Sequence, residues 1–227
     1  MKDKPLHSEL RWPHDITSAR RLQLELSEKV RIVSLRKGIT TVAGVDAAYF
    51  KDRIVATVCL FNINNLELLE EASFTGKVRF PYIPGLLSFR EGPAIVKALK
   101  KLSIRPDIVL FDGHGICHPQ RLGIASHMGV ILNIPTIGCA KSLLTGRYSE
   151  PGFIRGNFSY VYFDNEIRGI CLRTKDNTRP LFVSPGHLTD FEDAMRIVLN
   201  CCKGFRIPEP LRRAHIFSKI IKNRLYG

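Results

Sequence analysis

Apolar residues recur along this chain at two spacings, and the switches between them mark out its elements. Asp15 or Thr17 can cap a helix on which Ala19, Leu22, Leu24, Leu26 and Val30 supply an imperfect apolar face. From Thr40 to Phe50 the residues are β-branched or small, which predicts a strand, and Asp46 interrupts it. Two further strands, Ile54 to Phe61 and Leu66 to Phe74, join across Asn62-Ile63-Asn64-Asn65, whose asparagines tolerate tight-turn backbone angles. Phe80-Pro81-Tyr82-Ile83-Pro84-Gly85 reads as a stiff loop, because two prolines and a glycine exclude regular structure. A helix follows with Ile95, Val96, Leu99 and Leu102 on one face; Glu91 lies at or just inside its start, where Gly92-Pro93 blurs the boundary.

Ile108 to Phe111 is a wholly apolar strand that turns polar at Asp112, with Gly113, His114, Gly115 and His118 close behind. Beyond it come a helix with Ile124, Met128, Ile131 and Leu132 in register, and a strand from Ile134 to Ala140 ending at Lys141. Phe158 to Phe163 and Ile167 to Arg173 predict a hairpin around Asp164-Asn165, and Leu181-Phe182-Val183 a short strand before Pro185-Gly186. Asp190 caps a helix reaching Cys202, and a last basic helix starts near Pro210. Three strands, helix, strand, helix, strand, with the later elements read as additions, fits an α/β fold with a mixed central sheet, its first three strands antiparallel, flanked by helices. With 227 residues and no internal repeat, one domain spanning 1–227 is expected.

Charge adds a partner class. Lys and Arg number 34 against 21 Asp and Glu, a net +13 that points to a polyanion such as nucleic acid or an anionic membrane surface. Seven of the cations fall between Lys203 and Gly227 against the single acid Glu209, and Arg20, Arg21, Lys29, Arg31, Arg36 and Lys37 form a second basic region. The bland alternative for either run is a solvated face. No apolar stretch reaches membrane-spanning length, so a membrane protein is not expected. The six cysteines form no Cys-x-x-Cys pair, and Met1-Lys2-Asp3-Lys4-Pro5 lacks a signal peptide's apolar core. Reduced thiols in a cytoplasmic protein are expected. His114, Cys117 and His118 look like half a zinc site with no second cluster to complete it.

Asp46, Glu91 and Asp112 are the candidate chemistry. A carboxylate within an apolar strand is costly unless a cation or donor compensates it. If the helix start packs beside the two strand ends, the three acids converge and repel, an oxygen-rich setting suited to Mg²⁺ and metal-assisted phosphodiester hydrolysis. Separately, Glu91 could be a helix-terminal acid and Asp112 a loop cap.

Five segments in order resemble the endonuclease V family, deoxyinosine 3′ endonucleases of RNase H-like fold. They are Val42 to Tyr49, Pro81 to Glu91, Asp112-Gly113-His114-Gly115, Gly138 to Leu144, and Pro208-Glu209-Pro210. The resemblance implies that Asp46, Glu91 and Asp112 bind Mg²⁺, with Mn²⁺ able to substitute, and that His215 stands near the metal. It implies that Lys141 neutralises the phosphate and that His118 contacts it. Pro81-Tyr82-Ile83-Pro84 resembles the family wedge, two prolines stiffening a tip that enters the base stack. A proline-rich turn packing its tyrosine on the core is the alternative. Gly85, Leu87, Gly113, Ile124 and Gly138 would line a pocket for the extruded hypoxanthine. The implied activity is DNA repair cleavage at the second phosphodiester 3′ to deoxyinosine, by a monomer. The alternatives are an inosine-specific endoribonuclease and a binding protein without turnover.

Overall fold

The computed structural model describes residues 12–35 and 38–226, so Met1 to Pro5 and the basic pair Arg36 and Lys37 lie outside the described residues. One eight-stranded sheet runs in the order β3-β2-β1-β4-β5-β8-β7-β6. Its strands are β1 (Thr41–Phe50), β2 (Arg53–Asn62), β3 (Leu68–Lys77), β4 (Ile108–Phe111), β5 (Thr136–Ala140), β6 (Phe158–Phe163), β7 (Glu166–Leu172) and β8 (Leu181–His187). The first three are antiparallel neighbours, whereas β1, β4 and β5 are parallel. This is the RNase H-like arrangement expected from the sequence.

Alternation along the central strands sorts side chains to two covered faces. Val109 and Phe111 of β4 join Ala43, Val45, Ile54 and Ala56 beneath α1 (Ile16–Ser27), α2 (Leu87–Leu99) and α3 (Ile124–Leu132). Ile108 and Leu110 point the other way, with Val42, Ile137 and Cys139, beneath α4 (Phe191–Cys201) and α5 (Glu209–Tyr226). Local signals behave as their chemistry requires. Asp15 and Asp190 cap α1 and α4 by accepting from Ser18 and Asp193 N–H, each at 2.8 Å. Asp164 and Asn165 take φ of +50° and +61°, the paired left-handed values of a tight hairpin turn.

Four expectations need correction. Helix α2 begins at Leu87, so Glu91 sits in its second turn and Gly92-Pro93 lie inside it. The proline costs one backbone bond in the middle of a helix that the buried Phe89, Ala94, Ile95 and Ala98 hold in place. Strand β8 continues through Pro185 to His187. Thr136 faces His187 while Ile137 faces Pro185, so Gly186 is the extra residue of a bulge, a position where a strand tolerates proline. Leu24, counted on the apolar face of α1, is 53% exposed because it lies across the helix from Leu22 and Leu26. The late strands are no appendage: β8, β7 and β6 extend the same sheet beyond β5. The six cysteines are buried free thiols, and no helix of the described residues is long and apolar enough to cross a membrane.

His127 on α3 is fully buried between Trp12 and Phe89, its Nδ1 2.7 Å from Ser88 Oγ, and burial lowers its pKa to about 3. Between the unfolded value near 6.5 and the folded one, only the unfolded chain takes up that proton, so stability falls with pH. One such histidine removes about 2 kcal/mol between pH 7 and pH 5. Urea unfolding of the wild type and His127→Gln over that range is predicted to give a shallower pH slope in the variant.

Candidate active site

Parallel register seats Asp46, in the middle of β1 rather than at its end, beside Asp112, just past the end of β4. Val45 of β1 pairs with Phe111 of β4, so Asp46 and Asp112 are the next residues along adjacent strands. Glu91 approaches from α2, and all three line one small cleft with Leu87, Phe111 and Ile124. Each carboxylate is engaged by a different donor. Ser218 Oγ donates to Asp46 Oδ2 at 2.6 Å, and His215 Nδ1 stands 3.4 Å from the same oxygen. Tyr49 donates its hydroxyl to Glu91 Oε1 at 2.9 Å. Lys141, at the end of β5, pairs with Asp112 Oδ2.

Burial and the neighbouring charges of Asp46 and Asp112 raise Glu91 to about 7, against the opposing pull of the Tyr49 hydrogen bond. Tyr49 is itself pushed up, by burial first and by Glu91 second. Three oxygen donors with a raised carboxyl among them fit the chemistry of a hard divalent cation. As placed, however, no three His, Cys, Asp or Glu side chains among the described residues stand close enough to ligate one ion together. Each carboxylate is instead held by a separate donor: Lys141 engages Asp112, Tyr49 engages Glu91 and Ser218 engages Asp46.

The position of α5 depends on a close approach at Gly44. A Cβ there would lie 2.1 Å from the Pro210 carbonyl carbon, so only glycine lets the Pro208-Glu209-Pro210 corner rest on β1. Thr57 adds a hydrogen bond to the Ala214 carbonyl at 2.9 Å, and the helix then delivers His215 and Ser218 to Asp46. The basic helix also uses its charge locally: Arg212 pairs with Glu209, and Arg213 with Glu71.

Beside the carboxylates lies a cavity of about 410 Å³ lined by Tyr82, Ile83, Pro84, Gly85, Leu87, Gly113, His118 and Ile124, together with Asp112 and Lys141. Gly138 is not among its lining residues. It lies behind the wall, where a Cβ would meet Gly115 N at 2.4 Å and Gly113 O at 2.6 Å. Tyr82 is 66% exposed, so it does not pack on the core, while Ile83 leans on the cluster of Phe80, Leu86 and Phe89. Pro81 and Pro84 are exposed, and Gly85 takes φ +81° to close the turn. Two buried side chains hold that turn: Gln23 Nε2 donates to the Gly85 carbonyl at 2.7 Å, and His118 Nε2 lies 3.1 Å from it. Gln120 N–H donates to His118 Nδ1, so the ring proton sits on Nε2 and faces Gly85. Burial lowers the pKa of His118 and of His114 to about 4, and His114 Nε2 lies 3.1 Å from the Ser142 carbonyl, tying the loop to the end of β5.

Sequence reasoning singled out the three acids, Lys141 and His215, which the structure brings to one corner, but assigned no role to Ser218, Tyr49 or Gln23. Ser218 had a usable signal, since three residues after His215 falls on the same helical face. Gln23 had none.

A mixed sheet in this order, with Asp46 within its first strand, Asp112 at the end of its fourth and a cavity beside them roomy enough to admit a base, has the layout of an RNase H-like nuclease. Residues 24–216 match the family model described as Endonuclease V. An Endonuclease V from Dictyoglomus thermophilum is 50% identical over 199 residues, covering 88% of this chain and 87% of the relative. The crystal structure of the Streptomyces avermitilis Endonuclease V superposes with a TM-score of 0.91 at 37% identity, covering 95% of this chain and 96% of that one. Ciona intestinalis Endonuclease V, solved with a 24mer DNA containing an inosine followed by a ribo-adenosine, gives a TM-score of 0.81 at 27% identity, covering 92% and 98%. The chain belongs to the endonuclease V family, whose members are phosphodiester-cleaving nucleases.

Gly44→Ala tests the mounting of the site. Overpacking against Pro210 is predicted to cost about 1–3 kcal/mol in urea unfolding, by lifting α5 off β1.

Proposed function

We propose that this chain is a deoxyinosine-directed DNA repair endonuclease that hydrolyses the second phosphodiester bond 3′ to the lesion, using Mg²⁺ or Mn²⁺. One observation carries the reading: a cavity roomy enough to admit a flipped base shares Asp112, Leu87 and Ile124 with the carboxylate cleft. A base held in the first puts its own strand across the second. A divalent cation held by Asp46, Glu91 and Asp112 would stabilise charge on the phosphate and lower the pKa of the attacking water. Water attacks phosphorus, the bond to the 3′ oxygen breaks, and that oxygen takes a proton. The products are a 3′-hydroxyl and a 5′-phosphate.

The residues divide the remaining work. Lys141, paired with Asp112, balances the phosphate charge, and His215 is a polar neighbour of the cation site through Asp46. Tyr82, solvated on its proline-stiffened turn, fills the gap left by the extruded base, with Pro81, Ile83 and Pro84 as its support. Gly85, Leu87, Gly113 and Ile124 wall the base pocket, and Gly138 lets the Gly113 loop press close. His118 orients the Gly85 carbonyl at the pocket rim. Buried free thiols suit a reducing cytoplasm, where the chain would act as a monomer.

A second reading has one observation in its favour. The Ciona intestinalis complex carries a ribo-adenosine directly after inosine, so an inosine-specific endoribonuclease is the alternative.

Mg²⁺ with matched inosine-containing DNA and RNA strands is the direct assay, and cleavage of the DNA is expected. Cleavage of RNA alone would favour the second reading, and tight binding without cleavage of either would leave a binding protein. Asp112→Asn is predicted to slow cleavage by at least about a hundred-fold, the scale of losing a group that stabilises transition-state charge, with lesion binding retained. Tyr82→Ala should weaken binding to inosine DNA by about five- to a hundred-fold, the range of one lost stacking contact, without moving the melting temperature.

A further inference from the structure

We propose that the cleft between β3 and α2 carries the nucleic-acid strand on the 3′ side of the cut, an inference that rests on the functional reading above. The cleft is large, about 790 Å³, and its floor includes Phe74 and Ile54. Every Lys, Arg, Asp or Glu side chain lining it is a cation: Lys77, Arg79, Arg90, Lys97 and Lys100. Four of the five are exposed. They come from both walls, Lys77 at the end of β3 and Lys97 with Lys100 at the far end of α2. None of the five forms an ion pair with a carboxylate among the described residues, in contrast to Arg212 and Arg213 on the basic terminal helix. Lys97 Nζ lies 4.7 Å from the centre of the Phe74 ring, so its charge is carried on the cleft floor with no anion beside it among the described residues. Cations gathered along one groove repel, and a phosphate backbone relieves that repulsion.

Placement makes the occupant specific. The base cavity meets the carboxylate cleft on one side through Asp112, Leu87 and Ile124. On the other side Glu91 is bonded to Tyr49, and the Arg90 guanidinium lies 4.7 Å from the centre of the Tyr49 ring. Arg90 also donates to the Phe80 carbonyl at 2.8 Å, at the root of the Tyr82 turn, and lines the cationic cleft. Base pocket, carboxylates and cleft therefore follow one another around α2. With the cut lying 3′ of the lesion, a strand that leaves the carboxylates away from the base pocket is the 3′ strand. The cleft then sets how much downstream strand the enzyme grips and holds the 5′-phosphate product after the nick.

The test is equilibrium binding of the full chain over a range of salt concentrations, with Ca²⁺ replacing Mg²⁺ to hold off cleavage. Two inosine-containing strands share the same 5′ side; one ends just past the nick and the other continues several nucleotides further. The wild type is expected to bind the longer strand more tightly and with a steeper salt dependence. Lys97→Ala/Lys100→Ala should shrink that difference: a salt slope lower by about 1.4–1.8, the value of two phosphate contacts, and roughly ten-fold weaker binding of the long strand. Binding of the short strand stays unchanged. Lys77→Ala, on the opposite wall, should act in the same direction. Equal losses on both strands, or none on either, would overturn the proposal while a preserved preference for inosine left the functional reading standing. Loss of that preference in the wild type itself would overturn both.

Discussion

Mutual repulsion among three carboxylates is the constraint on which the site depends. The parallel pairing of β1 with β4 makes Asp46 and Asp112 neighbours, and α2 brings Glu91 against them. Burial and this crowding raise Glu91 to about 7. The fold tolerates the arrangement because each acid meets its own donor: Ser218 for Asp46, Tyr49 for Glu91, Lys141 for Asp112. These donors come from α5, β1 and the end of β5, so the carboxylate corner ties together elements from both faces of the sheet. A buried acid held by one hydrogen bond is poised to exchange that partner for a cation.

The rest of the molecule can be read as the mounting of that corner. Gly44 lets α5 lie on β1, and Gly138 lets the Gly113 loop lie on β5. Glycine is required at both because another backbone occupies the space of a side chain. The Gly85 turn is held from behind by Gln23 and His118, so exposed Tyr82 projects from a fixed base. Rigid support under a solvated aromatic lowers the ordering cost of inserting it into a base stack.

Much of this was legible in the chain, for identifiable reasons. Asp46 and Asp112 stood out because each ends or interrupts an apolar run, a pattern that period-two reasoning detects directly. The hairpin at Asp164-Asn165 and the caps at Asp15 and Asp190 were legible because their chemistry is local. What escaped was non-local. Ser218 meets Asp46 across 172 positions, Gln23 meets Gly85 across 62 and Tyr49 meets Glu91 across 42, and nothing in the intervening residues encodes those meetings. The start of α2 was blurred for a different reason: Pro93 reads locally as a breaker, yet core packing of Phe89 and Ile95 outweighs one lost backbone bond. The bulge at Gly186 likewise let β8 run past a proline that seemed to end it. Family resemblance supplied what periodicity lacked, joining acids on separate elements into one site.

The claim that matters most is that Asp46, Glu91 and Asp112 act as a single cation site. Calorimetric titration of Mg²⁺ into the wild type, Asp46→Asn, Glu91→Gln and Asp112→Asn tests it without reference to turnover. The account predicts saturable binding in the wild type and a marked loss of affinity in every one of the three variants. Undiminished binding in any one of them would take that residue out of the site and contradict the account.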